Sequence, residues 1–115
     1  MKPAVKVMIL EDNGQKFFGE GPYRLLKSVE ETGSLRQAAM NMEMAYTKAR
    51  KLLQNAETGF GVKLLIPSIG GAHGGGSILS PEGAALLKKY EEYRRRSRET
   101  NAKIYEEILD RKSVV

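Results

Sequence analysis

The chain of 115 residues is long enough for one domain with a single hydrophobic core, and its 41% hydrophobic and 29% charged residues are typical of globular proteins. No apolar run approaches the roughly 20 residues that cross a bilayer, which excludes a membrane-spanning protein. The chain has no cysteine and its first ten residues carry no export signal, so we expect a cytoplasmic protein without disulfides. The formal charge of +5 favours a polyanionic partner.

The N-terminal segment predicts a β-hairpin. Residues 4–10 are mostly apolar, residues 15–18 form a second short run, and Asn13-Gly14 lies between the two. Asn-Gly tolerates positive φ at both central positions of a type I′ turn, which joins antiparallel strands tightly. We therefore expect two short strands with a type I′ turn at this dipeptide.

Two helices are predicted next. From Pro22 the apolar residues recur at helical spacing, and Gly33 is a stop signal at the C-terminal end. Ser34 then offers a capping hydroxyl, and Gln37 follows three positions later. This is the capping-box arrangement, in which each side chain bonds the backbone N–H of the other residue. We expect a short second helix that starts at Ser34.

A third helix is predicted from Ala45 to about Thr58, after a short break at residues 41–44. Small and apolar residues form a stripe on one face of this helix, whereas the other face is basic and polar. The residues of that outer face are Thr47, Lys48, Arg50, Lys51 and Gln54. Two short helices joined by so tight a turn, the second with a basic outer face, predict a helix-turn-helix unit.

A glycine-rich hairpin is predicted after the third helix. Residues 62–67 and 78–79 have the composition of two short strands, and five of the seven residues at 70–76 are glycine. Glycines let the backbone approach another surface closely, and such a hairpin directly after a helix-turn-helix is typical of a wing. The segment from 45 to 73 has a charge of +3, from Lys48, Arg50, Lys51 and Lys63 against Glu57.

A long helix is predicted from the start signal Ser80-Pro81-Glu82 to about Asp110. At roughly 30 residues it would be about 45 Å long, which exceeds the diameter of so small a domain. This length predicts that the helix pairs with a second copy of the chain, as an antiparallel or crossed pair because the middle of its stripe is polar. The predicted dimerisation residues are Leu86, Tyr90, Tyr93, Ile104 and Ile108.

The residues offer little for catalysis, and we expect neither an enzyme nor a bound cofactor or metal. His73 is the only histidine, and there is no cysteine to act as a nucleophile. The glycine loop lacks the Gly-Lys-Ser/Thr end of a P-loop and the spacing of a dinucleotide site. A phosphate contact by His73 within the wing is favoured over a role as a metal ligand, which would need partners from outside its loop.

Three segments resemble the N-terminal DNA-binding domain of ModE-type molybdate-responsive regulators, which is in turn similar to the N-terminal domain of LysR-type regulators. They read ETGSLRQAA at 31–39, MAYTKAR at 44–50, and the glycine-rich stretch 70–76 followed by LSPEG at 79–83. The resemblance covers about residues 17–95. It implies a winged-helix homodimer that binds operator DNA, with Tyr46, Thr47, Lys48 and Arg50 at matching positions of the recognition helix.

The chain departs from this family pattern at two places. The turn between the second and third helices has Glu43 and Ala45 where such domains usually have Gly and a capping Ser, so we expect Asn41 to supply part of the cap. The sequence also ends at Val115, before any C-terminal oxyanion-binding domain. We therefore do not expect direct molybdate binding.

The sequence as a whole predicts a mainly α fold with small β elements: a winged helix-turn-helix at residues 1–80 and a long dimerisation helix at 81–115, in one domain. The predicted function is a DNA-binding transcriptional regulator with double-stranded DNA as its partner, a recognition helix at about 45–58 and a wing at 69–77. A protein-interaction module without DNA binding and a metal- or anion-sensing switch through His73 stay open as alternatives. The predicted DNA-binding residues are Ser34, Arg36, Tyr46, Thr47, Lys48, Arg50, Lys51, Gln54, His73 and Ser77.

Overall fold

A computed structural model describes residues 1–68 and 76–113, apart from the side chain of residue 113. Within these ranges the chain forms four α-helices and two antiparallel two-stranded sheets, which confirms the mainly helical fold predicted. The elements in chain order are β1 (Ile9–Leu10), β2 (Lys16–Phe18), α1 (Glu20–Thr32), α2 (Leu35–Asn41), α3 (Tyr46–Phe60), β3 (Leu65–Ser68), β4 (Gly76–Leu79), α4 (Pro81–Ile108) and a 3-10 turn (Arg111–Ser113).

The N-terminal hairpin is present, but its turn differs from the one predicted. β1 pairs with β2 through Ile9 and Phe18, with an irregular register at Leu10. The N–H of Gly14 donates to the carbonyl of Glu11 at 2.8 Å, and of the described residues near the turn only Gly14 has a positive φ, at 92°. The prediction of a type I′ turn, which needs two positive φ angles, is therefore wrong. The Asn13 side chain instead accepts a hydrogen bond from the N–H of Gln15.

The first helix ends and the second begins as the local signals predict. α1 starts two residues before Pro22 and stops at Gly33, whose φ of 69° is left-handed and suits glycine. The Ser34 hydroxyl accepts a hydrogen bond from the N–H of Gln37 at 3.0 Å, which caps α2. The reciprocal half of the predicted capping box is absent, because the Gln37 side chain donates to Asn41 instead.

The turn between α2 and α3 is built without favourable residues. Glu43 has a left-handed φ of 53°, and Ala45 is the N-cap of α3 without a side-chain hydrogen bond. Asn41 does not supply the expected cap, since its side-chain oxygen accepts from Gln37 in the preceding helix. α3 then runs two residues beyond the predicted end and stops at Gly61, which is left-handed with φ 72°.

One hydrophobic core joins the three short helices to the first half of α4. The ring of Phe18 from the hairpin packs edge-to-face on Tyr90, with centroids 5.0 Å apart, and also on Phe60. Gly59 of α3 has no room for a side chain, because a Cβ would lie 2.1 Å from the Phe17 ring. The buried members of the core are Phe18, Tyr23, Leu25, Leu26, Val29, Leu35, Ala38, Ala39, Ala49, Leu53, Ala56, Leu64, Leu87 and Tyr90.

The predicted wing strands pair with each other and attach to the end of α1. β3 and β4 are antiparallel, with Leu65 opposite Leu79 and Ser68 opposite Gly76. The N–H of Ser77 donates to the carbonyl of Gly33 at 3.0 Å, and a Cβ on Gly76 would come within 2.6 Å of the same oxygen. The predicted wing tip at 69–75, with His73, lies outside the described residues.

The LSPEG segment fixes the start of α4 against the strand before it. The Ser80 hydroxyl donates to the carbonyl of Lys63 at 2.6 Å and accepts from the N–H of Gly83 at 2.9 Å. A Cβ on Gly83 would lie 2.3 Å from the carbonyl oxygen of Leu64, so only glycine fits there. These residues, which carry part of the family resemblance, have a structural role.

The two halves of α4 have different surroundings. Its 28 residues extend beyond the body, which gives the chain extents of 63 × 30 × 24 Å. Leu87 and Tyr90 in the first half are buried, and the Tyr90 hydroxyl donates to the carbonyl of Val7 at 2.9 Å. Tyr90 was predicted in a dimer contact; with 2% of its surface exposed it instead belongs to the hydrophobic core of the chain. Ile104 and Ile108 in the second half are exposed.

A cluster of polar residues fastens α4 to α1. Arg94 donates to the carboxylate of Glu20 at 2.6 Å, and its guanidinium lies over the Tyr23 ring, 4.4 Å from the centroid. The Tyr23 hydroxyl donates to Glu91 at 3.0 Å. Burial raises the pKa of Tyr23 and of Tyr90, which further favours the protonated hydroxyl that donates these hydrogen bonds. The angle of α4 to the body is therefore fixed by specific contacts.

Within the described ranges, no helix is both long enough and apolar enough to cross a membrane.

Candidate nucleic-acid interface

The exposed outer side of α3 carries five of the ten predicted DNA-binding residues. Ala49, Leu53 and Ala56 point into the core, since each is at most 3% exposed. The opposite side of the same helix consists of the exposed residues Thr47, Lys48, Arg50, Lys51 and Gln54. The amphipathic pattern of the sequence thus leaves three cationic side chains exposed on the sides of the helix turned away from the core.

Two of the predicted DNA contacts, Ser34 and Ser77, lie beside Gly33 at the end of α1. Ser34 is half-buried, and its hydroxyl caps α2 by accepting a hydrogen bond from the N–H of Gln37. Ser77 is also half-buried, and its backbone N–H is bonded to Gly33. Ser77 therefore helps to attach the wing to the end of α1, whereas Ser34 caps α2.

Arg36 and Tyr46 contact each other, which the sequence did not reveal. The guanidinium carbon of Arg36, in the first turn of α2, lies 4.3 Å from the centroid of the Tyr46 ring at the start of α3. Arg36 is exposed, whereas Tyr46 is half-buried against the core. Because the two residues are ten positions apart in different helices, no local pattern indicates this contact.

A cleft of about 320 Å³ separates α3 from the wing strands. Tyr46, Arg50 and Gln54 line it on the helix side, and Lys63 and Ser77 line it on the strand side. Four of the ten predicted DNA-binding residues therefore line one cleft between α3 and the base of the wing, namely Tyr46, Arg50, Gln54 and Ser77.

Glu57 is the one acidic residue of α3 and the two wing strands, and it lines the same cleft as Arg50 and Gln54. The Glu57 carboxylate accepts hydrogen bonds from the backbone N–H groups of Leu64 at 2.8 Å and Leu65 at 3.5 Å. Its other oxygen lies 3.9 Å from the Lys63 ammonium. Glu57 thus holds the start of β3 to α3, a role that sequence reasoning missed because its partners are seven and eight residues away.

In the part of the chain that the structure describes, no three His, Cys, Asp or Glu side chains lie close enough together to hold a metal ion. His73 lies outside that part, so its predicted phosphate contact stays a prediction.

A second surface runs along the distal half of α4. An open groove of about 690 Å³ lies between this helix and Val5, and its helix side is lined by Lys89, Glu92, Tyr93, Arg96, Ser97, Thr100, Asn101 and Ile104. Tyr93 and Ile104 are both about half exposed, at 53% and 49%. Leu86, also predicted in the dimer contact, is half-buried against the core, whereas Ile108 is exposed.

A comparison with known proteins finds a similar structure but no matching family or curated sequence. No family model matches the sequence, and no curated protein matches it. This chain is similar in structure to a variant of Lactococcus lactis ZitR, with a TM-score of 0.55 and 11% sequence identity. The match covers 97% of this chain and 75% of the ZitR chain.

Three helices, a two-stranded hairpin and a long final helix, in this order, define a winged-helix protein. The likeness to ZitR agrees with this fold, which the sequence predicted.

Proposed function

We propose that this protein is a sequence-specific DNA-binding transcriptional regulator of the cytoplasm, which acts as a homodimer. The observation that carries the proposal is the division of α3 into a buried face of small residues and an exposed face with three cations. A helix of this kind fits the major groove, which is about 12 Å wide. The local resemblance to ModE-type domains supports the same function.

The exposed residues divide by position between base contacts and phosphate contacts. Thr47, Lys48 and Arg50 lie in the first half of α3, the part of a recognition helix that approaches base edges. Lys51 on α3 and Arg36 on α2 lie beside them and contact phosphates. Ser77 and His73 would follow the backbone or the minor groove from the wing.

The distal half of α4 supports an antiparallel dimer. Tyr93, Ser97, Thr100 and Ile104 lie on one face of the helix, since their spacing alternates between four and three residues. In an antiparallel pair centred between residues 98 and 99, Tyr93 of one subunit lies opposite Ile104 of the other. The same arrangement sets Ser97 opposite Thr100, so apolar residues meet apolar residues and hydroxyls meet hydroxyls. A two-fold dimer of this kind requires inverted half-sites in the operator.

DNA binding is tested by fluorescence anisotropy with fragments selected from random duplexes by the purified protein. Arg50→Ala should lose sequence preference, because a bidentate base contact contributes about 1–3 kcal/mol of discrimination. Lys51→Ala should weaken binding to all DNA sequences alike. It should also lower the slope of affinity against salt concentration by about the amount of one phosphate contact. The matched control is Arg95→Ala on α4, whose guanidinium is paired with Glu99. No binding by the unmodified protein at low salt, with a salt-insensitive protein complex instead, would support the interaction-module alternative.

The dimer is tested with single thiols, which is straightforward because the chain has no cysteine. Tyr93→Cys and Ile104→Cys chains are mixed and treated with a short bifunctional maleimide. The antiparallel dimer predicts the mixed product alone, since two copies of residue 93 would be about 16 Å apart along the helix. Same-residue products would indicate a parallel pair, and Glu99→Cys on the opposite helix face is the control. No product at any pair of sites would exclude this dimer without affecting the DNA-binding test.

Molybdate control is not part of the proposal, although the resemblance is to molybdate-responsive regulators. That this chain does not bind molybdate directly stays a prediction. Isothermal calorimetry with molybdate, tungstate and Zn²⁺ checks this point, and heat of binding with any of them would favour the sensing alternative.

A further inference from the structure

The contact between Arg36 and Tyr46 places a cation at a defined point of the proposed DNA-binding surface. The guanidinium carbon lies 4.3 Å from the ring centroid, within the range of a cation–π interaction. None of the ion pairs among the described residues involves Arg36. Its charge is therefore not neutralised by a carboxylate in the described part of the chain.

The tyrosine ring is fixed on its other side. Tyr46 is half-buried, packs against the hydrophobic core, and lines the cleft together with Leu35 and Leu53. An arginine side chain loses much of its rotamer entropy when it is ordered on binding. Stacking on a ring that is already fixed reduces the entropy that remains to be lost on binding, while the N–H groups stay free in the guanidinium plane.

We propose that Tyr46 is a positioning residue, which acts on DNA by holding Arg36 for a phosphate contact and not by reading a base. The inference rests on the proposed function. In a helix-turn-helix the first helix crosses the DNA backbone, and Arg36 is exposed in the first turn of that helix, α2. A flat guanidinium held in one orientation suits the two-oxygen geometry of a phosphate.

The test is a double-mutant cycle, measured as DNA affinity by anisotropy at one salt concentration. Arg36→Ala should weaken binding about tenfold, the effect of one hydrogen-bonded charge contact. Tyr46→Leu should weaken it about threefold, the size of an exposed cation–π interaction. In the Arg36→Ala background, Tyr46→Leu should have no further effect, because its action passes through the arginine. Tyr46→Phe keeps the ring and should bind like the unmodified protein.

Two controls separate this role from a structural one. Lys48→Ala and Tyr46→Leu should be additive, since side chains two positions apart in a helix lie on different sides of it. The loss in Tyr46→Leu should be the same for preferred and mutated operators, because phosphates carry no sequence information. A melting temperature close to that of the unmodified protein would show that the variants are folded.

The inference is overturned if Tyr46→Leu weakens DNA binding by the same factor with and without Arg36. It is also overturned if Tyr46→Phe weakens DNA binding as much as Tyr46→Leu. Either result means that Tyr46 contacts DNA itself. Failure of the unmodified protein to bind any duplex overturns the proposed function and this inference together. DNA binding with an additive cycle overturns the inference alone.

A measurement without DNA tests the contact directly. Ring currents should shift the NMR signals of the Arg36 side-chain protons upfield in the free protein. Tyr46→Leu should return them to ordinary values, whereas Tyr46→Phe should leave them shifted. Unshifted signals in the unmodified protein would also overturn the inference.

Discussion

The turns on either side of α2 have similar backbones but very different residues. In the first, Gly33 is left-handed and Ser34 is an extended N-cap whose hydroxyl bonds the next helix. In the second, Glu43 is left-handed and Ala45 is an extended N-cap without a side-chain bond. The first turn uses residues suited to each position, and the second uses residues that local preference would not select.

The second turn forms nevertheless because contacts around it fix its path. The N–H of Glu43 donates to the carbonyl of Met40, and that of Met44 donates to the carbonyl of Ala39, at 3.0 and 2.9 Å. Ala39 and Ala49 are buried where α2 and α3 pack together. Tertiary packing thus compensates for unfavourable local chemistry in the turn that leads into α3. Four substitutions test this difference, from the largest expected effect to the smallest.

Gly33→Ala should lower the free energy of unfolding by about 1–2 kcal/mol, because a side chain in the left-handed region is strained. A Cβ at this position meets no other atom within 4 Å, so the effect reports the backbone angle alone. Thermal melting followed by circular dichroism measures it. Gly21→Ala in α1 is the matched control, with open space and without a left-handed φ, and should not lower the melting temperature. Equal losses in both variants would contradict the explanation.

Ser34→Ala should lower the free energy of unfolding by about 1 kcal/mol, the usual contribution of an N-cap hydroxyl. For a domain of this size that corresponds to about 4 °C in melting temperature. Gln37→Ala should have a smaller effect, since its side chain does not complete the capping box. A larger loss in Gln37→Ala than in Ser34→Ala would mean that the reciprocal bond does form.

Glu43→Gly should raise the free energy of unfolding by about 0.5–1 kcal/mol. Relief of the left-handed strain is worth more than the extra flexibility that glycine gives the unfolded chain. Glu43→Ala removes the same charge but keeps a Cβ, so it separates the two causes. If the alanine variant is stabilised as much as the glycine variant, charge and not backbone strain limits this turn.

Ala45→Ser should give the smallest change, a gain of about 0.5 kcal/mol, by supplying the missing cap of α3. Chemical denaturation with urea is the appropriate measurement, because the slope shows whether the folded state is otherwise unchanged. Ala45→Val offers no cap and should give no gain. A stabilised valine variant would show that packing, and not capping, is incomplete at this position.

Features that depend on a few neighbouring residues could be predicted from the sequence. Gly33, the cap at Ser34 and the start of α4 at Ser80-Pro81 are where the signals placed them. The unfavourable residues Glu43 and Ala45 were also recognised from the sequence. Two local predictions failed, the type I′ turn and the reciprocal capping bond, because the Asn13 and Gln37 side chains have other hydrogen-bond partners nearby.

The sequence by itself determined the end of α1 at Gly33, the caps at Ser34 and Ser80 and the two faces of α3, because capping, glycine angles and periodicity act within one or two turns of chain. Only the tertiary structure decided that Tyr90 belongs to the core, that Glu57 holds β3, and that Arg36 stacks on Tyr46. Periodicity assigns a side chain to a helix face, but the neighbouring elements decide what that face meets. Those partners come from distant parts of the chain, and only packing brings them together.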